Sequence, residues 1–256
     1  MATTVTFNSF SFQDASIITP DIDRYSMPTR VIQAMDITRS NRQKVVAAYL
    51  KEKVIKIAGV FVASTEEALQ AKISEARKNL LTLEGVLQIP FNGLTIQYQA
   101  TVSKYEFPRK NYNKTFCNYI VEFSCVNPPY GVDSVVNTDT MNTTTASASG
   151  SFTAGGEIDP EPTINVTVNS ETAMTVFKIT SDDTGESITI TPGSGFSAGD
   201  ILIIDSRSKS VLLNGAAQDY AGIFPLFAVG LNNFTVDITS TNHNVDVDVS
   251  WQDNYL

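Results

Sequence analysis

Near its carboxyl end the chain alternates apolar and polar side chains strictly, with Phe234, Val236 and Ile238 in one run and Val245, Val247, Val249 and Trp251 in the next. A period of two puts every apolar group on one face of an extended strand, which an α-helix cannot do. Two apolar runs precede these, Ile201-Leu202-Ile203-Ile204 and Val211-Leu212-Leu213, joined by the polar turn 206–209. A glycine break at Gly215 and the aromatic–proline segment Tyr220-Ala221-Gly222-Ile223-Phe224-Pro225-Leu226 follow. Short strands at this spacing, with turn residues between them, predict an antiparallel sandwich or barrel. Upstream, 163–168, 175–179 and 187–191 read as further strands, with Ile164, Val166, Val168, Val176, Ile188 and Ile190 facing inward. Burying such a side chain contributes roughly 1.5–3 kcal/mol, so residues 163–256 are expected to fold on a core of their own.

The first half is built differently. Residues 54–61 predict a strand, and beyond it Leu69, Ile73, Ala76 and Leu80 recur on one face of a helix over 65–81. Ser64 is placed to cap its first turn, Glu67 to complete a capping box, and Gly85 to stop it. The apolar stripe predicts a helix lying on a sheet. Strands at 86–89, at 94–102 (Leu94, Ile96, Tyr98, Ala100 and Val102 on one face) and at 116–125 come next. Asn127-Pro128-Pro129-Tyr130-Gly131 then breaks the chain. Before residue 54 the pattern is poor. The stretch to Ala34 reads as irregular, with short strands at Val5/Phe7 and Ile17/Ile18, and 39–52 reads as an extended loop. Ser, Thr, Gly and Ala dominate from Gly131 to Pro162, so 136–162 reads as a linker. The expected organisation is a mainly β chain. An amino-terminal β-barrel or sandwich (1–135) carries one packed helix, and the linker leads to an antiparallel β-sandwich (163–256).

The net charge of −9 is unevenly spread. Residues 1–135 sum to +3, whereas 136–256 carry −12, with only Lys178, Arg207 and Lys209 as cations. A surface so acidic repels nucleic-acid phosphates and anionic membranes or cell-wall polymers, and keeps a domain from self-association. Between residues 24 and 56 the balance reverses, with eight basic residues against Asp36 and Glu52. That segment is either a solvated basic face or a contact surface for an acidic neighbour. Residues 1–12 lack the basic start and apolar block of an export signal. No apolar run approaches the ~18 residues of a membrane helix. The sequons at Asn113, Asn142, Asn165 and Asn233 are what chance supplies in a chain rich in Asn and Thr.

Candidate chemistry is sparse. Cys117 and Cys125 lie eight positions apart on one predicted strand. At ~3.3 Å per residue that separates them by about 26 Å, far beyond the ~7 Å reach of a disulfide. They are read as two buried thiols. His243, the single histidine, sits in Ser240-Thr241-Asn242-His243-Asn244 and reads as a hairpin-turn residue. Gly193-Ser194-Gly195 reads as a β turn and leads into no helix, so it is no phosphate cradle. Asp246 and Asp248 read as the solvent face of a half-buried strand. Asp182-Asp183-Thr184-Gly185-Glu186 reads as a turn, with an oxygen-rich calcium loop as the alternative. Trp251 and Tyr220 carry rings able to stack on a sugar, although Trp251 on an alternating strand reads as core or interface. No catalytic, cofactor-binding or metal residue is assigned, and the chain is not read as an enzyme.

The order of elements and two stretches of wording resemble the distal tail proteins (Dit family) of long-tailed bacteriophages. The carboxyl end matches through 199–226 quoted above. The amino-terminal half matches through strand, helix, antiparallel strands and the family's Phe-x-Cys motif, here Phe123-Ser124-Cys125-Val126-Asn127-Pro128. The resemblance implies a structural virion protein of the tail tip or baseplate: a homohexameric ring joining the tail tube to hub and tape-measure-associated proteins. It implies that the carboxyl domain is galectin-like, that DNA passes through the lumen without specific binding, and that no membrane is inserted. The second reading, from a different class, is a carbohydrate-binding module that attaches to host glycans.

Overall fold

The computed structural model describes residues 4–14, 16–23, 25–36, 43–108 and 114–256. They form two compact units, Met1–Ser134 with Tyr255–Leu256, and Val135–Asn254. The first unit begins with β1 (Thr6–Phe7), β2 (Phe10–Ser11), β3 (Ile17–Ile22), β4 (Arg30–Asp36), β5 (Gln43–Leu50) and β6 (Lys53–Val62). Helix α1 (Glu66–Leu80) follows, then β7 (Gly85–Phe91), β8 (Leu94–Glu106), β9 (Phe116–Cys125) and β10 (Gly131–Asp133). The ladder runs β2-β1-β7-β8-β9-β6-β3, with β10 also on β8. Strand β8 is its corner: Leu94 to Ala100 pair with β7, and from Thr101 onward the strand pairs with β9. A strand shared between two sheets folds the ladder back on itself, so both halves turn an apolar face to one core.

Strands β6 and β9 line that core with Ile55, Ile57, Phe61, Tyr119, Val121 and Phe123, and the amino-terminal segment adds Phe7 and Phe12. Gly59 is required where β3 pairs alongside β6. A Cβ there would lie 2.3 Å from the Ile18 carbonyl oxygen and 2.6 Å from the Tyr119 hydroxyl. Helix α1 closes the core with the predicted stripe, Leu69, Ile73, Ala76 and Leu80. Its cap is Thr65 and not Ser64. The Thr65 hydroxyl accepts the Ala68 N–H at 3.2 Å, because Thr65 is the last extended residue before the first turn. Gly85 does not end the helix either. It opens β7, and a Cβ there would meet the Asn8 side chain at 2.3 Å.

The second unit comprises β11 (Asn137–Thr143), β12 (Ser147–Ala154), β13 (Thr163–Thr172), β14 (Val176–Ser181), β15 (Ser187–Ile190) and β16 (Ile201–Asp205). It continues with β17 (Ser210–Leu213), β18 (Ala216–Ala217), β19 (Tyr220–Gly222), β20 (Gly230–Thr239) and β21 (Asn242–Trp251). Two antiparallel sheets, β11-β21-β13-β16-β17-β18 and β12-β20-β14-β15-β19, face each other. Ile164, Val166, Val168, Val245, Val247 and Val249 from the first meet Ile179, Ile188, Ile190, Phe234, Val236 and Ile238 from the second. The chain is therefore mainly β with one packed helix, as its alternation predicts.

Four readings of the sequence are corrected. The Ser/Thr-rich stretch 136–162 contains two edge strands: β11 pairs with β21 along its whole length and β12 with β20. Such a strand needs few apolar groups. Only Thr143, Phe152 and Ala154 of the two are buried, and Gly150 leaves room for the Phe234 ring, which a Cβ would approach to 2.4 Å. Residues 43–50 are strand β5 and not loop, paired with β4; 39–42 lie outside the described residues. In the stretch to Ala34, β1 and β3 fall where short strands are expected, whereas β2 and β4 stand where the sequence reads as irregular. On β14 the inward residues are Phe177 and Ile179, one position off the phase that puts Val176 inside.

Candidate interaction surface

The groups singled out for chemistry are committed to structure. His243 is no turn residue: it sits on β21, 4% exposed. The Thr145 carbonyl lies 3.0 Å from its Nε2, and the Ser240 hydroxyl 2.6 Å from its Nδ1. A carbonyl only accepts, so Nε2 carries the proton and Nδ1 accepts from Ser240. The ring ties the β20–β21 turn to the turn between β11 and β12. In the 182–186 loop each carboxylate is taken by a protein donor. Asp182 accepts from the Thr235 hydroxyl (3.1 Å), Asp183 from the Asn233 N–H (3.1 Å) and Glu186 from the Leu226 N–H (3.0 Å). No metal-ligating group of three or more His, Cys, Asp or Glu occurs among the described residues. The 193–195 segment is a turn closed by Gly195 N–H on the Pro192 carbonyl at 2.9 Å.

Asp246 and Asp248 lie between buried valines on the outer face of β21. Side-chain amides of Asn142 (2.5 Å) and Asn169 (2.7 Å) hold the Asp246 carboxyl below its usual range. A recess of about 300 Å³ opens near Thr163, Asp205, Arg207 and Ser250, with Arg207 Nε 3.2 Å from the Glu161 carboxylate. Burial pushes Asp205 up, but bonds from Ser208 and Arg207 outweigh it and leave the group below its usual range. Trp251 is 8% exposed and packs on Phe152 at 4.6 Å, which places its ring in the core. Tyr220 is 42% exposed and stands edge-on to Phe224 at 5.1 Å. Cys117 and Cys125 are thiols buried in the first core. Asn113 lies outside the described residues.

The largest departure from a self-contained chain is the β4–β5 ribbon. It pairs with no other strand among the described residues. Its base is closed by Thr29 N–H on the Glu52 carbonyl (2.7 Å) and Lys51 N–H on the Thr29 carbonyl (2.8 Å). Ile32 (59%), Met35 (62%), Val45 (58%), Val46 (58%) and Tyr49 (48%) are exposed. None of them belongs to either core cluster. The register sets Val31 opposite Tyr49 and Ile32 opposite Ala48, so both faces carry apolar groups. A lone hairpin is marginally stable in water, and an apolar ribbon with two open edges is a template for another chain. Arg30, Lys44 and Lys51 make it basic, in keeping with the second of the two readings of 24–56. The sequence carried its signal: two short runs rich in β-branched residues, 31–35 and 45–49, of the kind that forms hairpins.

Residues 155–255 match the family model described as siphovirus-type tail component, C-terminal domain. No curated protein sequence matches the chain. Among solved structures, the Dit (gp 19.1) protein of phage SPP1 is similar over 99% of both chains, at 13% identity and a TM-score of 0.70. That protein is described as a paradigm of the hub adsorption apparatus in phages infecting Gram-positive bacteria. A chain of the phage P2 baseplate, in its activated conformation with calcium, aligns over 86% of both chains at 6% identity and a TM-score of 0.42, too loose a match to bear on the fold.

Proposed function

We propose, from the match of residues 155–255 to the siphovirus-type tail component model, that the chain is a structural ring protein of a phage tail tip. In this reading copies of the amino-terminal unit assemble around an axis, and the ring joins the tail tube to the hub and its associated proteins. Six copies is the number implied by the resemblance to distal tail proteins. The observation that carries the reading is the β4–β5 arm. Five of its large apolar side chains lie open to solvent, and no strand among the described residues pairs with it. Large apolar groups left exposed together on one short ribbon mark a protein contact.

The charge of the carboxyl-terminal half speaks against nucleic-acid binding by that half. A carboxyl-terminal half at −12 has no means of gripping a phosphate backbone. Nor do the described residues contain a helix long and apolar enough to cross a membrane. The reading is tested by sedimentation velocity on the full chain beside the double variant Ile32→Glu, Val46→Glu. The wild type is expected as one discrete oligomer, and the variant as a monomer with an unchanged far-ultraviolet circular dichroism spectrum. Equal masses for the two would contradict an assembly role for the arm.

A further inference from the structure

The segment between β19 and β20 displays apolar groups that the sandwich does not use. Phe224, Pro225 and Phe227 are buried and anchor it, with the Phe227 ring 5.1 Å from that of Phe152. Among these anchors Ile223 (63%), Leu226 (56%) and Val229 (42%) stand exposed, and Leu231 (64%) follows on β20. Anchoring is complete without them, so these large side chains are left in water for another reason. Hydrogen bonds fix the backbone that carries them. Ile223 N–H donates to the Ser187 carbonyl (2.9 Å), Leu226 N–H to the Glu186 carboxylate (3.0 Å) and Val229 N–H to Asp159 (3.2 Å). The buried Asn232 side chain accepts from Ala228 N–H and donates back to the Ala228 carbonyl, both at 2.8 Å. A surface held this way loses little conformational freedom when something docks on it. The same bonds set carboxylates beside the apolar groups: Glu186 at Leu226, Asp159 at Val229, and Asp183 on Asn233 N–H, next but one to Leu231. None of these three carboxylates is in an ion pair among the described residues. Of the cations in this half, Lys178 faces Asp237 (3.8 Å) and Arg207 faces Glu161 (3.2 Å). Lys209 lies over the Phe224 ring at 5.2 Å, at the β19 end of the segment.

We propose that the 223–231 surface docks a segment of another protein that carries apolar side chains flanked by lysine or arginine. The inference goes beyond the ring reading and does not depend on it, because every group it uses lies in the carboxyl-terminal unit. An apolar centre with charged groups at its rim is the anatomy of a protein contact: the centre excludes water, and the rim selects the sign of the partner. The rim carboxylates here keep their charge, since their donors are neutral backbone N–H groups. Docking of this surface on its own copy would bring two acidic rims together, which repel. An acidic segment or an anionic membrane is turned away by the same charges.

The test is fluorescence anisotropy on the full chain with three labelled peptides of one length. The first has leucines flanked by lysines, the second serine in place of leucine, and the third glutamate in place of lysine. The leucine–lysine probe is expected to bind, and the other two at least about tenfold more weakly. Leu226→Ser with Leu231→Ser removes the apolar centre and leaves the charge, and is expected to weaken the leucine–lysine probe about 30-fold or more. Asp183→Asn with Glu186→Gln keeps an oxygen to accept each backbone N–H, and is expected to weaken the same probe with an unchanged circular dichroism spectrum. If the serine–lysine probe binds as well as the leucine–lysine probe, the attraction is charge alone and the inference falls. Equal affinity of the leucine–lysine probe for wild type and the leucine variant overturns it too, as does failure of all three probes to bind. If the leucine variant sediments as a smaller species than the wild type, another copy fills the surface: this inference falls and the ring reading stands. A wild-type monomer that binds the leucine–lysine probe alone removes the ring reading and leaves this one in place.

Discussion

Tyr119 and Cys125 point from β9 into the same core, and burial acts on both. It pushes the Tyr119 phenol up to about 12, although a hydrogen bond with the Thr19 hydroxyl pulls the other way. It also pushes the Cys125 thiol up to about 12, partly offset by the positive charge of Lys53. Both groups hold their protons more tightly folded than unfolded, so the unfolded state loses protons first as pH rises. Their contribution is fully present below their ordinary values of 9.0 and 10.0 and is lost as pH climbs to about 12. Urea midpoints of the wild type are expected to be flat up to about pH 9 and to fall from there to pH 12. The fall should be shallower in Cys125→Ala and in Tyr119→Phe, whatever their absolute stabilities. A wild-type profile that stays flat to pH 12 would contradict the burial assigned to these groups.

Among the elements, α1 offers the cleanest single-residue test. Its first turn hangs on the Thr65 hydroxyl, and Glu66 and Glu67 add favourable charge at the same end. Thr65→Ala is expected to cost about 1 kcal/mol of stability, and Thr65→Gly only a few tenths. Ser64→Ala should change little; a larger loss there than at Thr65 would return the cap to Ser64. The helix was legible because its stripe is long and strongly periodic, while its cap was misplaced by one residue because Ser64 and Thr65 are chemically alike. The strands of the second sheet pair were legible wherever one face is water and the other core, as in Val245–Val249. Strands β11 and β12 were not. Being edge strands, they show solvent on most of their surface, and an edge strand of Ser, Thr and Gly has the composition of a linker. The β4–β5 arm was missed for the opposite reason. Its apolar groups lie on both faces, which gives no period of two, because among the described residues no other strand pairs with it and neither core takes up these groups. His243 was read from its polar neighbours, whereas its role depends on Thr145, almost a hundred residues away in the chain.

At the scale of the whole molecule, two units with separate cores divide the labour. The first combines a β core under one helix with a basic, apolar arm. The second is a sandwich whose cations number three among fifteen acids. The exposed apolar groups of the arm are those of a part that is built into something larger. Light scattering on the purified full-length protein, with negative-stain images of the same sample, tests that account most directly. The account predicts a single closed species, a ring of about six copies with an open centre. A monomer at micromolar concentration, or a dimer with two-fold symmetry, would contradict it.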